Sequence, residues 1–298
     1  AAGLVADGVL LEPRHVVVER KTIAINDLPD AFDGFRICQI TDVHHGPFTG
    51  LEFIKKVVEK VNSLNPGLVV LTGDYVDHSS KYIVPAVSAL CRLKSSNGVL
   101  SVLGNHDHWM DANLTQEVFN RYNVPVITNS HKLIEIKDKA ICVAGVGDLM
   151  EDSQDLKAAF YGLPADIPRI LLSHNPDYAE SMPATERVDL VLAGHTHGGQ
   201  VRMPFSIAPI TMSMYGQKYA GGLVRSASSQ VYVSRGIGVV GLPVRFNCPP
   251  EITLITLTSS PAVCPVPEAS SGQALWTLFP CSIYPESIIY EWIGEDDA

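Results

Sequence analysis

The chain has 298 residues, 46% hydrophobic and 18% charged, a composition that supports a large layered core and excludes global disorder. Its 22 lysines and arginines against 32 aspartates and glutamates give a formal charge of −10. That balance argues against a whole-surface grip on nucleic acid, while a nuclease site stays open because bound cations reverse the local sign.

Short β-branched runs alternate with helical patterns, the signature of an α/β domain built on helix-covered sheets. Strands are expected at His15–Arg20, Arg36–Thr41, Leu68–Thr72, Val99–Leu103, Ile141–Gly145, Arg169–Ser173, Leu190–Ala193, Val231–Ser234 and Ile252–Leu257. Between the second and third, Leu51, Ile54, Val57, Val58, Val61 and Leu64 fall on one helical face. Thr49 and Glu52 form a capping-box pattern at its start, and Asn65-Pro66-Gly67 stops it. Further helices are expected at Ile83–Leu93, Leu114–Tyr122 and Ser153–Tyr161. Met203–Gly222, rich in Met, Pro, Gly and Tyr without clear periodicity, reads as a long ordered loop near a functional edge.

Cys38, Cys91 and Cys142 lie in apolar runs and read as buried thiols, whereas Cys264 and Cys281 stand in a Pro/Ser-rich tail where a disulfide is an open alternative. No apolar run approaches the roughly 18–20 residues of a membrane span. The chain opens at Ala1-Ala2-Gly3 without an initiator methionine, consistent with a trimmed leader or anchor. We divide it into a catalytic domain, 1–258, and an acidic C-terminal extension, 259–298. The extension carries five prolines and ends in Glu295-Asp296-Asp297. It is expected either to pack as an arm through Trp276, Phe279, Tyr290 and Trp292 or to form a partly mobile extension, the arm being favoured.

Five polar clusters directly follow expected strands: Asp42-Val43-His44, Gly73-Asp74-Tyr75-Val76-Asp77, Gly104-Asn105-His106-Asp107, Ser173-His174-Asn175 and Gly194-His195-Thr196-His197-Gly198-Gly199-Gln200. Open α/β sheets bind ligands at the carboxyl ends of their strands, so the five can converge on one edge. Carboxylate, imidazole and amide oxygen together suit borderline divalent transition metals rather than a Cys-rich structural zinc site. Taken singly, most of these clusters are explained by caps and turns; the ordered set of five points to metal-assisted hydrolysis. Two cations about 3.5–4 Å apart acidify a shared water and clamp the attacked phosphoryl group.

The ordered set resembles the calcineurin-like metallophosphoesterases, with motifs Asp-x-His, Gly-Asp-x-x-Asp, Gly-Asn-His-Asp/Glu, His and Gly-His-x-His. The resemblance runs from about Arg36 to Leu257. Gly198-Gly199-Gln200, Lys218-Tyr219-Ala220, Ser234-Arg235-Gly236-Ile237-Gly238 and Pro249-Pro250-Glu251-Ile252 look like the bacterial YkuE/YaeI-type branch. The resemblance implies an α/β fold, a four-layer αββα sandwich of two mixed sheets flanked by helices. It implies one metal on Asp42, His44 and His197, a second on Asn105, His174 and His195, and Asp74 bridging. The cofactor would be two divalent ions, Mn, Fe or Zn, with Mn favoured. The activity would be hydrolysis of a phosphodiester or pyrophosphate by a metal-bridging hydroxide. The substrate would be lipid- or nucleotide-linked, such as UDP-2,3-diacylglucosamine; the alternatives are a broad phosphodiesterase or nuclease, or a non-catalytic metal-binding scaffold.

Next to Asn105, His106 is expected to stabilise phosphate charge or act as general acid, with Asp107 orienting its ring. Asp77 is either a partner to these groups or a helix cap. His45 and His108 are expected to line the substrate pocket. A peripheral membrane or lipid contact is expected from the branch and the Met-rich loop, and no stable nucleic-acid complex. The branch implies a bacterial protein, membrane-associated or exported, with the cytoplasm as the fallback location. The sequence carries no signal for an oligomeric state.

Overall fold

The computed structural model describes residues 7–260; Cys264, Cys281 and the aromatic residues of the tail lie outside them. Two sheets lie face to face. The first takes β1 (Val17–Ile25), β2 (Arg36–Ile40), β3 (Leu68–Thr72), β4 (Val99–Val102) and β11 (Glu251–Ser259) in the order β1-β11-β2-β3-β4. The second takes β5 (Ser130–Ile136), β6 (Lys139–Gly145), β7 (Arg169–Leu172), β8 (Leu190–Ala193), β9 (Gly222–Arg225) and β10 (Gln230–Val233) in the order β5-β6-β7-β8-β10-β9. Both are mixed: β2, β3 and β4 run parallel with β11 antiparallel to β2, and β6, β7, β8 and β10 run parallel between antiparallel edges β5 and β9. The expected α/β four-layer sandwich is therefore the observed fold.

The period-two alternation of the strands sorts the layers. Leu68 and Val70 of β3 face the second sheet, where Ile141, Val143, Ile170, Leu172, Leu190 and Leu192 meet them. Val69 and Leu71 face outward onto helices α1 (Leu51–Ser63), α2 (Ile83–Leu90) and α3 (Asn105–Arg121). On the far side, Cys142, Ala144, Leu171 and Val191 pack under the short helix α4 (Leu156–Ala159) and under Tyr178. Each such aliphatic side chain, fully buried, is worth about 1.5–3 kcal/mol. Gln39, in the same inter-sheet layer, donates its amide to Thr72 Oγ1 and to the Ala193 carbonyl, both at 2.9 Å. It ties β2 to β8 at the end of the sandwich where the polar clusters emerge.

Several local expectations change. Helix α1 is capped by Gly50 without a side-chain bond, and Glu52 pairs with Lys55 instead of closing a capping box. Thr49 instead offers its carbonyl to Gly46 N–H and to His45. Helix α3 begins at Asn105, nine residues before the expected Leu114, and is broken at Asp111. Edge strands β5 and β9 were not expected. Cys38 and Cys142 are buried free thiols, while Cys91 is only half-buried. Strand β11 runs to Ser259 and pairs in register with all of β1, so the last residues of the expected domain sit inside the first sheet. Among the described residues, no helix is long and apolar enough to cross a membrane.

Candidate metal centre

All five clusters emerge at one end of the sandwich. Asp42 and His44 follow β2, Asp74 follows β3, Asn105 and His106 open α3 after β4, His174 follows β7, and His195 and His197 follow β8. Five of these residues hold left-handed backbone: Asp42 (φ 50°), His44 (46°), Asp74 (57°), His195 (68°) and His197 (51°). Such conformations are costly for non-glycine residues, and clusters of them characterise functional sites. Two glycines are sterically required: a Cβ on Gly104 would collide with the Asp74 carboxylate, and one on Gly194 with that of Asp42.

The donor atoms form two facing groups. Asp42, His44 and His197 converge in one, with His197 Nε2 2.9 Å from His44 Nε2 and 3.3 Å from Asp42 Oδ1. Asp74, His174 and His195 converge in the other, with His195 Nδ1 3.3 Å from His174 Nε2 and 3.1 Å from Asn105 Oδ1. Asp74 Oδ2 lies between them, 3.5 Å from His44 Nε2 and 3.2 Å from His174 Nε2. The backbone fixes the carboxylates: His195 N–H donates to both oxygens of Asp42 at 3.0 Å, and His106 N–H donates to Asp74 Oδ1 at 2.9 Å. His174 donates Nδ1–H to the Thr72 carbonyl at 2.7 Å, which aims Nε2 inward at Asp74. Burial opposes its protonation, but the Asp74 carboxylate raises its pKa well above the usual imidazole value, so a cation bound there would take the place of that proton.

This donor set fits two divalent cations. Four imidazoles, two carboxylates and an amide oxygen converge in a nearly closed site. His44 Nε2 and His197 Nε2 face each other at 2.9 Å, a spacing that one N–H···N hydrogen bond or a cation between the two rings would satisfy. Burial alone would raise the pKa of Asp42 and Asp74, but the surrounding histidines pull both below the ordinary carboxylate range. Burial also drives His197 well below the usual imidazole value and lowers His195 with help from His174. Neutral imidazoles and ionised carboxylates are the forms that ligate metals.

His106 stands at the mouth of this centre, its ring edge-on to His44 with centroids 4.6 Å apart. The partner that orients it is Asp77, not Asp107: His106 Nδ1 lies 3.2 Å from Asp77 Oδ1. Asp107 is buried and accepts three backbone N–H bonds, from Asp74 (2.8 Å), Gly104 (2.9 Å) and Tyr75 (2.9 Å). It shapes the loop that carries Asp74 and has no free face for an imidazole. Burial, aided by the neighbouring Asp74, pushes its carboxyl up to about 7 despite those bonds. Burial opposes protonation of His106, yet the Asp77 bond and nearby carboxylates raise its pKa above the usual value. Asp77 itself falls to about 2, its burial outweighed chiefly by the bond to His106.

His45 does not line the centre. Its Nδ1 bonds the Thr49 carbonyl at 2.8 Å and its ring packs against Tyr82, because the turn after Asp42 directs successive side chains to opposite sides. His108 likewise stays outside both donor groups. Conversely, Arg245 belongs to the site although no motif marks it. Its guanidinium is fully buried and bonds the carbonyls of Arg235, Gly236, Gly238 and Cys248. Nη2 lies 3.5 Å from His197 Nδ1. The Gly238 N–H in turn donates to the Asp42 carbonyl at 2.7 Å, so Arg245 braces the loops behind one donor group.

The fold and the paired donor groups define a candidate dimetal centre. The calcineurin-like phosphoesterase family profile matches residues 35–199. The chain is 35% identical over 258 residues to the uncharacterized metallophosphoesterase YkuE of Bacillus subtilis, covering 84% of this chain and 88% of that protein. It is 32% identical over 228 residues to the phosphodiesterase YaeI of Escherichia coli, covering 75% of this chain and 82% of that one. A Danio rerio protein named as a transmembrane protein with metallophosphoesterase domain is 32% identical over 257 residues. That match covers 82% of this chain but 57% of the relative, so the chain spans little more than half of that protein's length. The chain belongs to the calcineurin-like phosphoesterase family, and its enzyme class is metal-dependent hydrolysis of phosphoric esters.

Proposed function

We propose that the chain hydrolyses a phosphodiester or pyrophosphate bond in a lipid-linked substrate, of which UDP-2,3-diacylglucosamine is the example suggested by its branch of the family. The observation that carries the hydrolytic reading is Asp74 Oδ2 standing between His44 and His174, within 3.5 Å of each. Asp42, His44 and His197 would hold one divalent ion and Asn105, His174 and His195 the second, with Asp74 shared. Mn is favoured, and the same donors accept Fe or Zn. Bound there, the cations supply Lewis-acid polarisation of the phosphoryl oxygens and a water acidic enough to attack near neutral pH.

The chain's own residues do the rest. Backbone donors hold Asp42 and Asp74 in place, and the Thr72 carbonyl fixes the tautomer of His174. His106, held through Nδ1 by Asp77, presents Nε2–H to the leaving oxygen and gives up that proton as the phosphorus–oxygen bond breaks. The lipid part of the reading rests on the loop after His197. Phe205 is 97% exposed and Met214 91%, with Ile210 and Met212 also exposed. Yet this segment is pinned: buried Asp177 accepts from Ser213 Oγ at 2.5 Å and from Met214 N–H at 2.7 Å. An anchored backbone presenting apolar side chains to solvent suits a lipid partner.

We extend the reading to a bacterial protein that is membrane-associated or exported, with residues 1–258 as catalytic domain and 259–298 as an extension. A broad-specificity phosphodiesterase is the second reading, favoured by the similarity to YaeI. The test is to load metal-free protein with Mn, Fe or Zn and assay bis(p-nitrophenyl) phosphate, p-nitrophenyl phosphate and UDP-linked lipids. Preferred turnover of a lipid-linked pyrophosphate is expected. Preference for small soluble diesters supports the second reading, and two bound equivalents of metal with no turnover on any substrate overturns both.

A further inference from the structure

A row of side chains leads outward from the metal centre. The ring of His106, edge-on to His44 on its inner side, packs against Trp109 on its outer side with centroids 4.6 Å apart and planes at 50°. From His106 the row continues sideways: Nδ1 to Asp77 Oδ1 (3.2 Å), Asp77 Oδ2 to His78 Nδ1 (2.9 Å), and His78 edge-on to Phe48 with centroids 5.9 Å apart. Both end members are half-exposed, Trp109 at 51% and Phe48 at 51%. The indole is fixed in orientation by its Nε1–H, which donates to Glu151 Oε1 at 2.7 Å. Phe48, His78 and Glu151 come from the loops after β2, β3 and β6, and Trp109 from the start of α3 after β4, at the same end of the sandwich as the candidate metal donors.

We infer that Trp109, seconded by Phe48, forms a stacking subsite for a nucleobase on the leaving-group side of His106. The inference rests on the phosphoesterase reading of the same site and assigns residues to the nucleotide end of the substrate, which that reading places nowhere. With His106 as donor to the leaving oxygen, the leaving portion would lie beside the His106 ring, and the indole packed against that ring is within its reach. Every nucleobase has a π-face that stacks on an aromatic side chain. The surroundings select a flat group with polar edges over an alkyl chain. Asp77, His78 and Glu151 rim the aromatic faces, and an acyl chain laid there would strip water from polar groups without replacing its hydrogen bonds. A base stacks on the faces and keeps its edge groups hydrated or bonded. The anchored methionine loop, which has no such rim, suits the apolar portion, so the two ends of one amphipathic substrate would lie on different loops.

The test compares nucleoside 5′-monophosphates with ribose 5-phosphate as inhibitors of bis(p-nitrophenyl) phosphate hydrolysis by the metal-loaded protein. AMP and UMP are expected to bind between about 5- and 150-fold more tightly than ribose 5-phosphate, the range that one stacked base provides. Trp109→Ala should remove most of that ratio, Trp109→Phe should retain part of it, and Phe48→Ala should reduce it less. The inhibition constant for ribose 5-phosphate should stay within about twofold in all three. AMP, but not ribose 5-phosphate, should quench the fluorescence component that Trp109→Phe removes. Equal inhibition by nucleotide and sugar phosphate in the parent protein overturns the inference while leaving the phosphoesterase reading intact, as does equal weakening of both by Trp109→Ala. If the protein hydrolyses nothing, the hydrolytic reading fails, and the quenching experiment still decides whether the base binds.

Discussion

Asp77 and His106 form the charge-assisted contact that sets the mouth of the centre, carboxylate oxygen to Nδ1 at 3.2 Å. Their loops follow different strands, β3 and β4, so the imidazole is held by a neighbouring loop and not by the next residue along its own helix. If His106 is the proton donor, His106→Asn should lower kcat by about 10²–10⁴-fold on esters with poor leaving groups. It should matter less for p-nitrophenolate, which needs little protonation, and metal content should stay near two equivalents. Asp77→Ala should give a smaller loss with the same leaving-group dependence. Equal losses on good and poor leaving groups would assign the pair to phosphate positioning instead.

Asp107→Ala should behave as a stability variant. Removing the carboxylate leaves three buried N–H groups, of Asp74, Tyr75 and Gly104, without their acceptor, at a cost on the order of 3–5 kcal/mol. A large drop in Tm is expected, accompanied by weaker metal binding because Asp74 loses its fixed loop. Normal Tm with selective loss of kcat would return Asp107 to a direct role at His106.

Asp74→Ala asks whether one carboxylate serves both donor groups. Both cations should be lost or greatly weakened, and activity with them. Differential scanning calorimetry with and without added Mn should show that the parent's metal-dependent gain in Tm disappears, because only a native state that binds ligand is stabilised by it. Retention of two tightly bound equivalents would separate Asp74 from the bridge.

The convergence of the candidate donors was legible because each follows a strand directly, and parallel strands deliver their carboxyl ends to one edge. Their pairing into two groups came from family resemblance, since no spacing along the chain tells His195 from His197. The Asp77 contact was obscured by adjacency. Asp107 is next to His106, but neighbours on a helix point about 100° apart, and Asp107 turns into the buried loop. The start of α3 was hidden for a related reason: Gly-Asn-His-Asp reads as a turn, yet Asn105 already lies in the first helical turn. Strand β5, Ser-His-Lys-Leu-Ile-Glu-Ile, lacks a core-strand composition because an edge strand pairs on one side only. Arg245 stands 48 residues beyond His197 in a stretch without periodicity, so only the folded chain places it at the site.

Arg245→Met tests the brace behind the first donor group. The substitution keeps much of the apolar bulk but withdraws donors from the carbonyls of Arg235, Gly236, Gly238 and Cys248. Buried carbonyls left without partners should lower stability by about 2–4 kcal/mol. Beyond that, the ion held by Asp42, His44 and His197 should be lost at lower chelator concentration than its neighbour, giving two-step metal release. Simultaneous release of both ions, as in the parent, would limit Arg245 to a general structural role.

The anchored loop after His197 yields a prediction in which stability and substrate binding separate. Phe205, Met212 and Met214 are exposed, so replacing all three with Ser removes no core packing and should leave Tm within about 2 °C, as expected for exposed positions. Their backbone is held independently, through Asp177, and Lys218 and Tyr219 both contact Glu180 nearby. If these side chains cover an acyl chain, KM for a lipid-linked pyrophosphate should rise about tenfold or more, because burying even a few methylene groups is worth about 0.8 kcal/mol each. That contact is made equally in the ground and transition states, so kcat should change little. A small soluble diester never reaches the loop and should be hydrolysed with unchanged KM. Equal damage to both substrates would show that the loop shapes the metal centre, whereas no change with the lipid-linked substrate would remove the loop from its recognition.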